Sequence, residues 1–385
     1  MENLLLRKPF RFLYMLVLFV VLIYGAYGCG SFYEGSNVLI QRFRGTQLIS
    51  AQAVVDKKVV YLETDGSGFH YFCFDMKNGT REEIGTVSNC VIAGRGVVLP
   101  DQCFYIYNAI VQEDGSNTNS LIKIDPNQLS LSVLSSDELC TPMITLSPCK
   151  YGLLAVKASA SGSGKTWIEL ISPEYGTVIF TLFPDENETF VAASSDEESI
   201  YALSFSGNGN NARFLLKEYD LDTLSHVSVY SLDSIQNELL TARIGAICVR
   251  GRCLFLENYS NLGMIIDLGT GEQNGDNNDS PTILKSALKL TMARDIQPQQ
   301  GDEMVLFIHG TDECIILQPD NGSMLSFDLE LKPGYQIRSI YTDGDHIFVS
   351  TRKPNNVFKQ KYYNDYLYLY EYEDFVKLAQ PFSNL

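Results

Sequence analysis

Short apolar runs, rich in β-branched and aromatic residues, recur along the chain, and each ends in a polar turn. Seven of them read "HYFCFDMKNG", "SLIKIDPNQL", "WIELISPEYG", "FLLKEYDLDTL", "GMIIDLGTG", "CIILQPDNG" and "YLYLYEYED". Aligned on the first polar residue after the run, they fall at Asp75, Asp125, Ser172, Asp220, Asp267, Gln318 and Glu371, at intervals of 47 to 53 residues. Runs of this composition are strand signals, and a fixed interval marks a repeat architecture. An Asp or Ser at this point caps its own turn through an Asx-type hydrogen bond, and the frequent Gly a few residues later supplies a positive φ.

A second apolar run precedes each marker: "VVYLE" (59–63), "CFYIY" (103–107), "LLAVK" (153–157), "SIYALS" (199–204), "CLFLE" (253–257), "MVLFI" (304–308) and "HIFVS" (346–350). Most units carry a third run before that one, for instance "LISAQAVV" or "ARIGAICV", and a weaker fourth strand is expected after the capped turn. Four antiparallel strands in each of seven units, with no helical period between them, predict an all-β fold: a seven-bladed β-propeller of four-stranded antiparallel blades. The repeat resembles the exported bacterial β-propellers, many of them membrane-anchored lipoproteins. That resemblance covers residues from about 45 to 380 and implies a fold and a range of binding roles. With Trp167 the sole tryptophan, the Trp-Asp mark of WD-repeat blades and the tryptophan motifs of quinone-binding propellers are absent.

Before the repeat, Arg7, Lys8 and Arg11 precede "FLYMLVLFVVLIYGAYGCGSFY", which carries no charge between Phe12 and Tyr33. That run is long enough to cross a bilayer, and the cations on its N-terminal side direct the downstream chain outward. The domains expected are therefore a signal or transmembrane anchor over 1–28, a linker over 29–45 and the propeller over 46–385. Ala26-Tyr27-Gly28-Cys29 resembles a bacterial lipobox, in which the cysteine is acylated, but departs from it at Ala26 and Tyr27. Cys29 is thus the lipidation candidate; an uncleaved helical anchor and an ordinary cleaved signal stay open. The expected location is the extracytoplasmic face of the cell membrane.

Composition sharpens the class. In 385 residues, 45% are apolar and 19% charged, ample for a packed core, and the net charge is −17. A field of that sign disfavours nucleic acid and anionic lipid as partners of the bulk surface. The eight cysteines after Cys29 show no zinc-type spacing. Cys248 and Cys253 flank "VRGR", and a two-residue turn at Arg250-Gly251 would set them face to face as a disulfide candidate.

"SASGSGKTW" (159–167) imitates a phosphate-binding loop. It lies between two predicted strands, whereas a phosphate loop opens a helix, and Ser159 stands where the motif needs Gly. No nucleotide is expected, and no cofactor. His70, His226, His309 and His346 fall in different units without metal spacing, and the acidic loop "GDNNDS" (275–280) lacks the Gly and distal Glu of a calcium loop. No metal is assigned. Tyr366, Tyr368, Tyr370 and Tyr372 alternate on one strand face, which predicts packing between blades or a stacking surface.

Loop lengths carry the functional expectation. Connections between the second and third strands run from "HGTD" to "TRKPNNVFKQKYYND", whereas turns between the third and fourth read as short throughout. Length variation at one end of a repeat scaffold marks its binding side. The sequence therefore predicts a tethered, non-catalytic binding or scaffold module for a protein or glycan, with Arg352, Lys353, Lys359, Lys361, Tyr362 and Tyr363 as binding-surface candidates. The alternative is a propeller-type hydrolase or lyase with its site at the mouth of the central channel.

Overall fold

A computed structural model describes residues 31–381 apart from 34–37, 45–47, 65–66, 94–95, 138–144, 160–163, 208–211, 236–238, 240–243, 252, 259–262, 269–281, 284–288, 291–293, 298–304, 310–312, 319–322, 330, 332, 343–344 and 353–361. Strands dominate, and all seven predicted second strands are present, as Lys58–Thr64, Phe104–Val111, Gly152–Ala158, Ser199–Ser206, Cys253–Asn258, Val305–His309 and His346–Arg352. Each pairs with an inner strand before it and a third strand after it, always antiparallel. The inner strands of successive units touch one another all the way round, and Gln336–Thr342 of unit seven closes on Leu48–Val55 of unit one. The fold is a β-propeller.

Six sheets are complete blades of four or more strands. In the sheet of unit five, the strands described beyond Gly263–Asp267 are the two-residue Thr282–Ile283 and Lys289–Leu290. Among the described residues six full blades are present, not the expected seven. The strand after Gly263–Asp267 begins only at Thr282, so this third-to-fourth connection departs from the short turn expected of all of them.

Local chemistry sets the other turns. Asp75 Oδ1 accepts from the backbone of Lys77 (2.8 Å) and Asn78 (3.0 Å), Asp125 Oδ1 from Asn127 (2.8 Å) and Gln128 (2.9 Å), and Asp220 Oδ1 from Thr223 (2.7 Å). Four residues after the marker the chain turns through positive φ, at Gly79 (68°), Leu129 (51°), Gly176 (66°) and Leu224 (57°). The rule breaks at Glu371, where a helix, Tyr372–Leu378, replaces the turn.

Unit seven gets its fourth strand from elsewhere. Val38–Arg44, expected within the linker, pairs antiparallel with Tyr362–Glu371, from Val38 opposite Tyr368 to Arg44 opposite Tyr362, and Ser31–Tyr33 pairs beyond it. At the other terminus Gln380–Pro381 crosses to unit six and pairs with Ser323–Asp328. Both chain ends thus clasp the last two blades.

Sheets bury both faces, which is why runs such as 104–107 are apolar without alternation. Val60, Tyr71 and Ile84 of unit one meet Phe104, Ile106 and Ile122 of unit two, and Val54, Tyr61 and Phe74 meet Phe348 of unit seven. Each such side chain contributes about 1.5–3 kcal/mol by leaving water. The tyrosine ladder joins this packing. Tyr368 and Tyr370 stack at 6.4 Å with planes 3° apart, Phe327 of unit six lies 5.3 Å from Tyr370, and Phe375 of the helix lies 4.3 Å from Phe327.

Candidate functional site

Topology sorts the connections. Those between second and third strands, and those between units, emerge at one end of the propeller; the remaining turns occupy the other. The first end bears the loops of variable length. Its best described loop joins Phe104–Val111 to Asn117–Asp125: Ser116 Oγ and N–H both serve Asp114, the latter at 2.8 Å from Oδ1, and together they hold that exposed carboxyl below its ordinary value. Gly115 turns the tip with φ 81°. "SASGSGKTW" sits at the same end. Ser159 N–H donates to Lys165 O at 2.9 Å, and the chain continues directly into the strand Thr166–Ile171, so no helix N-terminus faces the loop.

Beneath these loops a belt of polar contacts crosses successive junctions. Between units one and two, Tyr71 and Asn108 are buried against each other, with Asn108 Nδ2 donating to Tyr71 Oη at 2.7 Å. Burial pushes the Tyr71 phenol well above its ordinary pKa. Between units two and three, the buried Lys157 ammonium lies 2.6 Å from Glu169 Oε2 and 3.0 Å from Asp137 Oδ2, while Trp167 Nε1 donates to Glu169 Oε1 at 2.8 Å. Between units three and four, Phe190 N–H donates to Thr166 Oγ1 at 2.6 Å. There Lys217 reaches Asp185 Oδ2 at 2.5 Å and Glu188 Oε2 at 2.6 Å.

Burial opposes charge on both lysines, but Tyr107 with Glu169 and Asp137 around Lys157, and Asp185 with Glu188 around Lys217, outweigh it and raise both pKa values above the ordinary lysine value. A general base or an amine nucleophile needs the opposite shift. Both lysines are held in the charged form at neutral pH, and through Asp137 and Asp185 they tie the end of the preceding unit to their own blade. Asp137 lies 12 residues after the marker Asp125 and Asp185 lies 13 after Ser172, so the two acids fall one position apart in the repeat. A lysine inside an apolar strand, "LLAVKA" or "FLLKEYD", followed or preceded by a repeat-spaced acid, is the signal that sequence reading passed over.

The opposite end carries its own network. Tyr105 and Lys123 both donate to Asp101; burial works against charge there, yet these bonds hold the carboxyl below its ordinary value and raise Lys123. Burial pushes the Cys73 thiol up to about 11 and the Cys103 thiol up to about 12, which makes both poor nucleophiles.

The sequence-derived site residues are only partly brought together. Arg352 ends the second strand of unit seven, opposite Gln336 and Asp365, and Tyr362 and Tyr363 begin the third, opposite Arg44 and Phe43. Lys353, Lys359 and Lys361 lie outside the described residues, as does Cys29. Cys248 and Cys253 are not cross-strand partners as expected. Arg250 pairs with Cys253, so the interval falls at 251–252 rather than 250–251, and Cys248 stands opposite Phe255. His70 contacts Thr86 Oγ1 at 2.9 Å, His226 meets Tyr219 edge-on at 5.6 Å and His346 lies 3.3 Å from Glu371, in three separate units. Among the described residues no group of three or more His, Cys, Asp or Glu is placed to hold a metal, and no helix is long and apolar enough to cross a membrane.

No protein-family model matches the sequence, and no curated protein matches it. Solved structures with a similar backbone include the β-propeller domain of the trilobed protease from Pyrococcus furiosus, with 12% identity and a TM-score of 0.46 over 80% of this chain and 90% of that one. BamB from Moraxella catarrhalis matches with 12% identity and a TM-score of 0.40 over 88% and 94%. An acylaminoacyl peptidase matches with 13% identity and a TM-score of 0.49 over 86% of this chain but 53% of that one, so the chain spans about half of that enzyme's length. The propeller assignment rests on the strand pairing described above.

Proposed function

We propose that this protein is a membrane-tethered, extracytoplasmic β-propeller that binds a protein partner through its loop-bearing end and performs no chemistry of its own. The observation that supports this most is the polar belt. It makes a floor from ion pairs on two buried lysines, beneath connections whose length changes from unit to unit. A floor of that kind positions a contact surface without poising a base, and Gly-, Ser- and Asn-rich loops adapt to a partner's shape. The tether rests on the charge-free segment from Phe12 to Tyr33 behind Arg7, Lys8 and Arg11.

The test is site-specific photo-crosslinking in the cells that make the protein, with the crosslinking residue at Glu113 on the loop tip or at Lys77 on an opposite-end turn. Discrete adducts from Glu113 and none from Lys77 are expected. Adducts from Lys77 alone, or from neither site, would overturn the reading. Intact mass and membrane partitioning, with and without Cys29→Ala, test the tether: a lipid-modified chain beginning at Cys29 is lost in that variant, whereas an unmodified full-length chain in both would leave the helical anchor.

A further inference from the structure

The outer edge of a propeller sheet is a row of unpaired backbone donors and acceptors, which templates another strand unless it is covered or blunted. This chain covers two such edges itself, with Val38–Arg44 on unit seven and Gln380–Pro381 on unit six, both antiparallel. Other edges are blunted. Unit one exposes Arg81, Glu82 and Glu83 on its outer strand, and those of units two and four, "SLSVLSSD" and "HVSVYS", are laced with serine.

Unit three is different. Among the described residues its outer strand, Val178–Leu182, pairs on one side only, and the sequence from Tyr175 to Pro184 holds no charge. Tyr175, Val178, Ile179 and Phe183 are 64%, 49%, 54% and 67% exposed. Ile179 is the extra residue of a bulge and faces solvent, as does Val227 at the equivalent bulge of unit four; unit three differs in that no charge lies near its bulge, whereas His226 precedes Val227. The charge-free stretch is bracketed by Glu174 on one side and Asp185 and Glu186 on the other, in a chain of net charge −17.

We infer that this edge receives an extended strand from a partner protein, apolar at alternate positions and basic at both ends. The strand would add to Val178–Leu182 as the chain's own termini add to units six and seven, with main-chain hydrogen bonds for affinity and its basic ends against the bracketing acids for orientation. A second copy of this chain would set its own Glu174 against Asp185 in antiparallel pairing, which charge opposes. The inference rests on the binding reading above and names a contact separate from the loop-bearing end.

The probe is a fluorescein-labelled peptide with an alternating valine–threonine core between paired lysines, titrated by anisotropy against the full-length protein in detergent. Saturable binding is expected, weakened about tenfold or more by Ile179→Lys and by Phe183→Lys, each with unchanged thermal unfolding, and weaker again for the same core between paired glutamates. Two mutated positions guard against one variant failing to fold. Binding that neither variant alters, or no binding of the lysine-flanked peptide, overturns the inference. So does a dimer that Ile179→Lys dissolves, which would give the edge to a second copy. Crosslinking from Glu113 in the unsubstituted protein, with no binding of the lysine-flanked peptide to that same protein, would sink the edge and leave the loop-end reading intact.

Discussion

Lys217 Nζ lies 2.5 Å from Asp185 Oδ2 and 2.6 Å from Glu188 Oε2, so a buried ammonium in unit four holds the crossover arriving from unit three. Breaking a buried pair by removing one partner strands the other charge, at roughly 3–5 kcal/mol. Asp185 is largely exposed and Glu188 is not, which places the loss near the lower end. Lys217→Met is expected to destabilise the protein by about 3 kcal/mol in urea unfolding. Adding Glu188→Gln should recover part of that loss; no recovery would mean that the carboxylate is not the stranded group.

A second junction tests hydrogen bonding without charge. Tyr71→Phe deprives the buried Asn108 of its partner and is expected to cost about 1–3 kcal/mol, far more than removing a hydroxyl from solvent. Thermal unfolding of Tyr71→Phe beside Tyr151→Phe, whose phenol is exposed and bonds Asp222, gives the comparison; equal losses would contradict the junction's role.

Two glycines separate backbone strain from crowding. Gly115 has φ 81° with open space around it, whereas Gly176 has φ 66° and a Cβ there would stand 2.6 Å from Leu134 Cβ. Gly115→Ala should cost about 1 kcal/mol for the left-handed conformation alone. Gly176→Ala should exceed it by at least about 1 kcal/mol, since the Leu134 backbone has to move as well. Paired denaturant curves decide, and equal losses would contradict the packing between units two and three.

Stability has an acid limb and an alkaline limb. Asp101 is held below the ordinary carboxyl value, so its contribution is present above about pH 3.9 and is lost as pH falls through its lower folded value. Lys157 is raised, so its contribution is present below about pH 10.4 and is lost as pH rises through its higher folded value. Asp101→Asn should flatten the acid limb by no more than about 1 kcal/mol, since both Asp101 and Lys123 are partly exposed. Unfolding free energy measured from pH 2 to pH 7 checks the sign; a steeper limb in the variant would contradict it.

What was legible in the sequence is what is local. Asp75, Asp125 and Asp220 cap their own turns, and positive φ comes four residues later, even where Leu129 and Leu224 stand in place of glycine. The strands needed no more than their own apolar composition. What was missed is non-local. Glu371 carries the same mark as the other turns, but the outer place in its blade is taken by Val38–Arg44 from the far end of the chain, and the segment after Glu371 becomes a helix. The junction lysines were overlooked because a cation inside an apolar strand declares its partner only when the next unit packs against it. At 248–253, a turn placed one residue later than expected was enough to take Cys248 out of register with Cys253.

Both proposed binding surfaces sit on a ring whose last blade takes its outer strand from Val38–Arg44. Hydrogen–deuterium exchange of the full-length protein, measured by mass spectrometry, tests that pairing most directly. Peptides covering Val38–Arg44 are expected to exchange as slowly as those covering Tyr362–Glu371, their antiparallel partner. Exchange of Val38–Arg44 within seconds, beside a protected Tyr362–Glu371, would contradict the pairing.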